Sequence, residues 1–109
     1  MLKINPETKY IIRTNRAGVF FGNIADFDAV NRIATLENVR RLWYWDGACS
    51  LSELAELGTT APNNCKFSIT VKNIIVCEVI EIIPCSEKSA KQIEGVLEWK
   101  LHCLTDSYR

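Results

Sequence analysis

The stretch Val39-Arg40-Arg41-Leu42-Trp43-Tyr44-Trp45-Asp46-Gly47-Ala48-Cys49-Ser50-Leu51-Ser52-Glu53-Leu54 decides the fold class, because a strand, a turn and a helix follow one another within it. Residues 39–45 are β-branched, long or aromatic, a composition suited to a pleated surface. Period-two geometry sets Arg41, Trp43 and Trp45 on one face and Arg40, Leu42 and Tyr44 on the other. Both faces carry large rings, so at least one ring is expected to reach beyond a half-buried pattern. Asp46-Gly47 ends the strand. Ser50 and Glu53 then fit a capping box, with Ser50 as N-cap and Glu53 reaching back from three residues later. Leu51, Leu54, Ala55 and Leu57 form the expected buried stripe, and Gly58 is placed as the stop. The helix is about two turns long and needs tertiary packing to persist.

The same signals extend in both directions. Residues 8–14 (TKYIIRT) read as a strand, 15–18 (NRAG) as a turn, and 19–24 as a second strand closing a hairpin. Gly22 interrupts that second strand and marks a bulge or a close approach to the backbone. Residues 33–36 give a third strand, with 39–45 a fourth or its continuation. After the loop containing Pro62-Asn63-Asn64, residues 67–71 and 74–83 carry the strongest β character. Lys72-Asn73 is expected as a turn or bulge between them, or the segment runs on as one longer strand. Pro84 closes it. A second capped helix is predicted from Ser86 to about Lys100, with Ala90, Ile93, Leu97 and Leu101 inward and Gly95 costing about 1 kcal/mol relative to alanine. Residues 102–109 read as a fraying tail. Strands, a short helix, strands and a longer C-terminal helix indicate an α+β domain with a largely antiparallel sheet.

With 109 residues the chain is expected to form one domain. At this size folding buries about two-thirds of the unfolded surface, enough for one core. The most apolar segment, 74–83, contains Glu78 and Glu81 and is too short to span a bilayer. The opening residues lack the apolar core of a signal peptide, so a cytosolic protein is expected. Thirteen basic and thirteen acidic residues cancel, which argues against a general nucleic-acid coat. The five cysteines are odd in number and show no Cys-x-x-Cys pair. Free, reduced thiols follow, with Cys77 and Cys85 packing as small hydrophobes. His102 is the single histidine, so no mixed Cys/His metal site is expected, and no cofactor motif is present.

Around the opening stretch, three parts of a nucleotide site lie close in sequence. A helix start preceded by Gly47-Ala48 offers backbone N–H groups up to Ser50. Arg40 or Arg41 could clamp phosphate oxygens, and Trp43, Tyr44 or Trp45 could stack on a base. The turn bearing Arg13 and Arg16 could lie across the same pocket. Against this, paired tryptophans and a tyrosine commonly serve as core or subunit contacts, with flanking arginines solvated or stacked on the rings. Cys49 sits just before the helix, where a thiol's pKa can fall, but its only available base is His102. Glu78 and Glu81 fall on opposite faces of a strand and make a poor acid/base pair.

Residues 41–55 (RLWYWDGACSLSELA) resemble the signature of a small family encoded by bacteriophages and prophages, R-x-W-Y-W-x-G-A-x-S-L-x-x-L-A. The resemblance continues through Cys65-Lys66-Phe67, Glu81-Ile82-Ile83-Pro84 and Ile93-Glu94-Gly95-Val96, covering about residues 10–100. It implies a phage origin. Small phage proteins often serve as structural components, regulate the host or inhibit its defences, and some inhibitors sequester nucleotide immune signals as compact oligomers.

The expectation is therefore a non-enzymatic homo-oligomer that binds a small anionic ligand, such as a cyclic nucleotide immune signal, without a cofactor and away from the membrane. Arg13, Arg16, Arg41, Trp43, Trp45, Gly47, Ala48 and Ser50 are its candidate ligand-binding residues. The rival is a protein–protein interaction module, a host-factor inhibitor or virion component, with the aromatics as hot spots. A hydrolase or transferase using Cys49 is a weaker third class.

Overall fold

A computed structural model describes residues 3–99. Among them are six strands and two helices, in the order β1 (Tyr10–Thr14), β2 (Val19–Asp28), β3 (Ile33–Tyr44), α1 (Leu51–Leu57), β4 (Lys66–Phe67), β5 (Val71–Val76), β6 (Val79–Pro84) and α2 (Glu87–Gly95). The class is α+β, and every strand pairing is antiparallel. No helix of the described residues is long and apolar enough to cross a membrane.

β2 and β3 form a long ribbon, with β1 then β6 beyond β2, and with β4 and β5 sharing the far side of β3. β5 and β6 therefore lie toward opposite edges of the sheet, yet only Cys77 and Glu78 join them. Two residues span only about 10 Å, so the sheet must curl. The hydrogen bonds agree. Asn15, beside the start of β2, donates its N–H to the Glu78 carbonyl, and Val79 donates to Arg32, just past the end of β2. Both ends of β2 thus meet the same short link.

Bulges provide the bend. Between the pairs Phe21↔Arg40 and Asn23↔Glu37, β3 holds one extra residue, and Asn38 there has φ of 49°. Asparagine tolerates this left-handed conformation better than most residues. Gly22 lies opposite, where an added Cβ would stand 2.9 Å from the Glu37 carbonyl oxygen and 3.0 Å from Val39. What approaches Gly22 is the neighbouring strand. A further residue, Ala25, is inserted on β2 between Ile24↔Leu36 and Asp26↔Thr35.

The curled sheet carries a core on each face. Tyr10, Ile12, Phe20, Ile24, Leu36, Val39, Val76 and Val79 cluster on one. Ile11, Phe21, Leu42, Phe67, Leu54, Ala55, Ile93 and Val96 cluster on the other, where the helices pack; the first cluster is termed the inner core and this second one the outer core. Consecutive residues of β1 and β2 thus enter different cores, which explains the unbroken apolar runs in those strands.

Both predicted N-caps are present. Ser50 Oγ accepts the Glu53 N–H at 3.1 Å, and Ser86 Oγ accepts the Ser89 N–H at 3.1 Å. Four expectations need correction. The strand break after β4 falls at Cys77–Glu78, and Lys72-Asn73 continue within β5. Cys77 is exposed at that link. Leu57 faces solvent. The second helix ends at Gly95, because Glu98 bridges Phe67 in parallel and Trp99 donates its N–H to the Phe67 carbonyl at 2.8 Å. Leu97 is consequently 83% exposed. Leu101, His102, Cys103 and the rest of the expected tail lie outside the described residues.

Candidate functional site

The sheet register separates the arginines predicted to converge. Arg41 pairs with Phe20, whose side chain enters the inner core, and its guanidinium lies 4.6 Å from the Phe20 ring centroid. Its Nη1 donates to the Ala17 carbonyl at 2.8 Å. Arg13 pairs with Val19, which packs on the outer core, so Arg13 and Arg41 stand on opposite faces. Arg13 Nε donates to Glu81 Oε1 at 2.9 Å. Arg16 grips Glu78 with two bonds, of 3.2 and 2.9 Å. The hydrogen bond from Arg16 holds the Glu78 carboxyl below its usual range, and the same contact raises the pKa of Arg16.

The helix start is also internally engaged. Gly47 has φ of 81°, and a Cβ there would sit 2.5 Å from the Ala61 nitrogen. Its N–H donates to Asp46 Oδ1 at 2.8 Å, and its carbonyl accepts from Thr60 N–H at 3.3 Å. Glu53 Oε1 accepts from Cys49 N–H at 3.3 Å, while Ser50 Oγ is occupied as the cap. Ala48 and Trp45 pack against the outer core. Of the three rings in the opening stretch, Trp45 is the one committed to packing.

The other two are displaced outward together. Leu42 pairs with Phe67, but Tyr44 pairs with Lys66, so one extra residue of β3 is accommodated between them. Trp43 and Tyr44 share a single partner residue across the ladder, which breaks the alternation expected from period two. Trp43 is 54% exposed and Tyr44 50%.

Tyr44 then walls a recess of about 300 Å³ with Asp46, Asn63, Asn64, Lys66 and Trp99. Lys66 Nζ lies 5.1 Å from the Trp99 ring centroid. A second recess, about 350 Å³, shares Asn63, Cys65 and Trp99 with the first and is also lined by Pro62, Leu97 and Glu98. The floor is well fixed. Asp46 accepts from Asn64 Nδ2 at 3.2 Å, its carbonyl accepts the Thr59 hydroxyl, and the Cys65 thiol lies 3.6 Å from the Ala61 carbonyl oxygen.

Beneath this end lies Arg40, only 2% exposed. Its Nε donates to the Ser68 carbonyl at 2.8 Å and its Nη1 to the Ile93 carbonyl at 2.6 Å. The guanidinium stands 5.5 Å from the Phe67 ring centroid, and Nη2 has no hydrogen-bond partner among the described residues. Burial lowers its pKa, while the charge of Glu98 acts in the opposite direction. Arg40 is thus a tie between β3, the segment after β4 and the end of α2. Spacing around the opening stretch could not reveal Lys66, Asn63, Asn64 or Trp99, which arrive from distant segments. Trp99 was further hidden inside a predicted helix.

No curated protein and no solved structure matches the chain. Residues 7–93 match a family model, a span that includes Tyr44, Asp46, Asn63, Asn64 and Lys66 and stops short of Trp99. The chain belongs to the family described as Domain of unknown function (DUF6948).

Proposed function

We propose that this protein is a non-enzymatic recognition module that docks on a partner protein through the aromatic end formed by Trp43, Tyr44 and Trp99. The observation that carries this reading is the irregularity between Leu42 and Tyr44, which leaves two adjacent rings half in water on a rigid strand. Trp43 and Tyr44 are neighbours in the chain and both half exposed, and Tyr44 and Trp99 line one recess. Tryptophan and tyrosine dominate the few residues that supply most interface energy. With the phage origin implied by the resemblance, the partner is a host factor or a virion protein, met in the cytoplasm of an infected cell.

The test is affinity capture from host extract with the full chain and with Trp43→Ser and Tyr44→Ser. The expected result is a partner retained in saturable, stoichiometric yield by the native chain and lost with the variants, whose melting temperatures stay unchanged. Equal capture by native chain and variants contradicts the proposal.

A second reading, a small anionic ligand such as a cyclic nucleotide, is favoured by one feature: Lys66 and two aromatic rings share one recess. The charge balance weighs against it. Asp46 offsets Lys66 in that lining, and Arg13 and Arg16 are already paired with carboxylates. Calorimetry against a panel of cyclic nucleotides decides between the readings, since saturable binding sensitive to Lys66→Ala would establish the second.

A further inference from the structure

We infer that Arg40 and Glu98 form an electrostatic latch that holds residues 97–99 as a strap on β4, so that the Trp99 wall of the recesses opens and closes while both cores stay folded. This goes beyond the docking proposal, because it concerns how the wall is held and not what the recesses take.

The register sets the geometry. Phe67 bridges Glu98 in parallel, and residues paired across a ladder present their side chains to the same face. Phe67 is buried in the outer core, so Glu98 projects toward that core. Arg40 projects there too. It pairs with Phe21, another outer-core residue, and its guanidinium lies 5.5 Å from the Phe67 ring centroid. Trp99, the next residue, takes the opposite face, where Lys66 Nζ stands 5.1 Å from its ring centroid. Fixing Glu98 therefore fixes Trp99.

Charge supplies the force. Arg40 is enclosed, its Nε and Nη1 bind the Ser68 and Ile93 carbonyls, and Nη2 has no hydrogen-bond partner among the described residues. Carbonyls carry no net charge, and a buried cation is costly unless an anion balances it. The field of Glu98 reaches the guanidinium and opposes the effect of burial on it. Both carbonyls belong to residues outside the strap, so Arg40 keeps its place when the strap lifts. The carboxylate then moves into water, and the arginine loses its counter-charge.

Little else anchors the strap. Val96, just before it, is buried, whereas Leu97 is 83% exposed and Trp99 38%. The remaining ties run to the short strand β4, through the Trp99 N–H bond to the Phe67 carbonyl and the contact with Lys66. Segments with few buried apolar contacts open locally before a core unfolds.

The test is native-state hydrogen exchange of the full chain by NMR, comparing the Trp99 amide with the core amides of Ile12 and Leu36. The native Trp99 amide should be protected, but less than the core amides. Glu98→Gln should speed its exchange at least about fivefold and leave the core amides unchanged. Glu98→Asp, which keeps the charge, should retain most of the protection, and Glu98→Lys should lose more than Glu98→Gln. In an Arg40→Met background the effect of Glu98→Gln should fall below about twofold. If Arg40→Met does not fold, the order of Asp, Gln and Lys at position 98 decides alone. An unprotected native Trp99 amide, an unchanged rate in Glu98→Gln, or equal rates in the Asp and Gln variants would overturn the inference. Equal acceleration of core and Trp99 amides would also overturn it, by showing that the strap does not open separately. Partner capture plays no part in this test, so the latch and the docking proposal fail independently.

Discussion

At the scale of single residues, what distinguishes frame from surface is what each side chain touches. Phe67 is fully buried in the outer core, and Phe67→Ala is expected to cost about 3–5 kcal/mol in denaturant unfolding. Arg40 is equally enclosed but polar. Arg40→Met removes the donors to the Ser68 and Ile93 carbonyls, and about 2–4 kcal/mol of stability should go with them, since two acceptors lose charged partners in a buried setting. Gly22→Ala is informative because nothing is lost except space. Its Cβ meets backbone atoms of Glu37 and Val39, and a strand cannot move aside as a flexible side chain would. A destabilisation of about 1–3 kcal/mol is expected. A neutral result would show that β2 and β3 are less closely apposed than described.

At the scale of elements, the strand–turn–helix stretch was readable because its signals are local. Ser50, Glu53 and Gly58 each act within a few residues, and Ser50→Ala should cost about 1 kcal/mol by freeing the Glu53 N–H. The irregularities were not readable. Nothing in Leu42-Trp43-Tyr44 announces an extra residue in the ladder, because the cause lies in Lys66 and Phe67, more than twenty positions later. Asn38 carried a faint signal, its tolerance of a left-handed backbone. The link at Cys77–Glu78 carried none, since Glu78 adopts φ of 58° without being a turn-forming type. The early end of α2 was likewise set at a distance, by the pairing of residues 98–99 with β4. Of the candidate site, the exposed aromatics were visible as an excess of rings. Their separation from the arginines required the register of β1, β2 and β3.

At the scale of the whole molecule, titrating groups at different places limit stability from both sides. Glu78 has a lowered pKa through its bond to Arg16, so its contribution is present above the usual carboxylate range and is lost as pH falls through the folded value. Cys85 packs on the outer core, where burial pushes its thiol up to about 11. Its contribution is complete below the ordinary thiol value, near pH 8.5, and is lost as pH rises toward 11, by at most about 2 kcal/mol given its partial exposure. Unfolding followed across pH should therefore show a plateau with a fall at each end. Glu78→Gln should flatten the acid side and Cys85→Ala the alkaline side. At pH 8, alkylation should modify the exposed Cys49 and Cys77 well before Cys85.

The central claim is that the strand end bearing Trp43 and Tyr44 is a surface held up by the core and available to a partner. Equilibrium unfolding of the Trp43→Ala, Tyr44→Ala double variant tests it most directly. The account predicts a free energy of unfolding within about 1 kcal/mol of the native chain, with the same denaturant dependence. A loss of about 4 kcal/mol or more, the scale of truncating packed aromatics, would contradict it by showing that these rings belong to the interior.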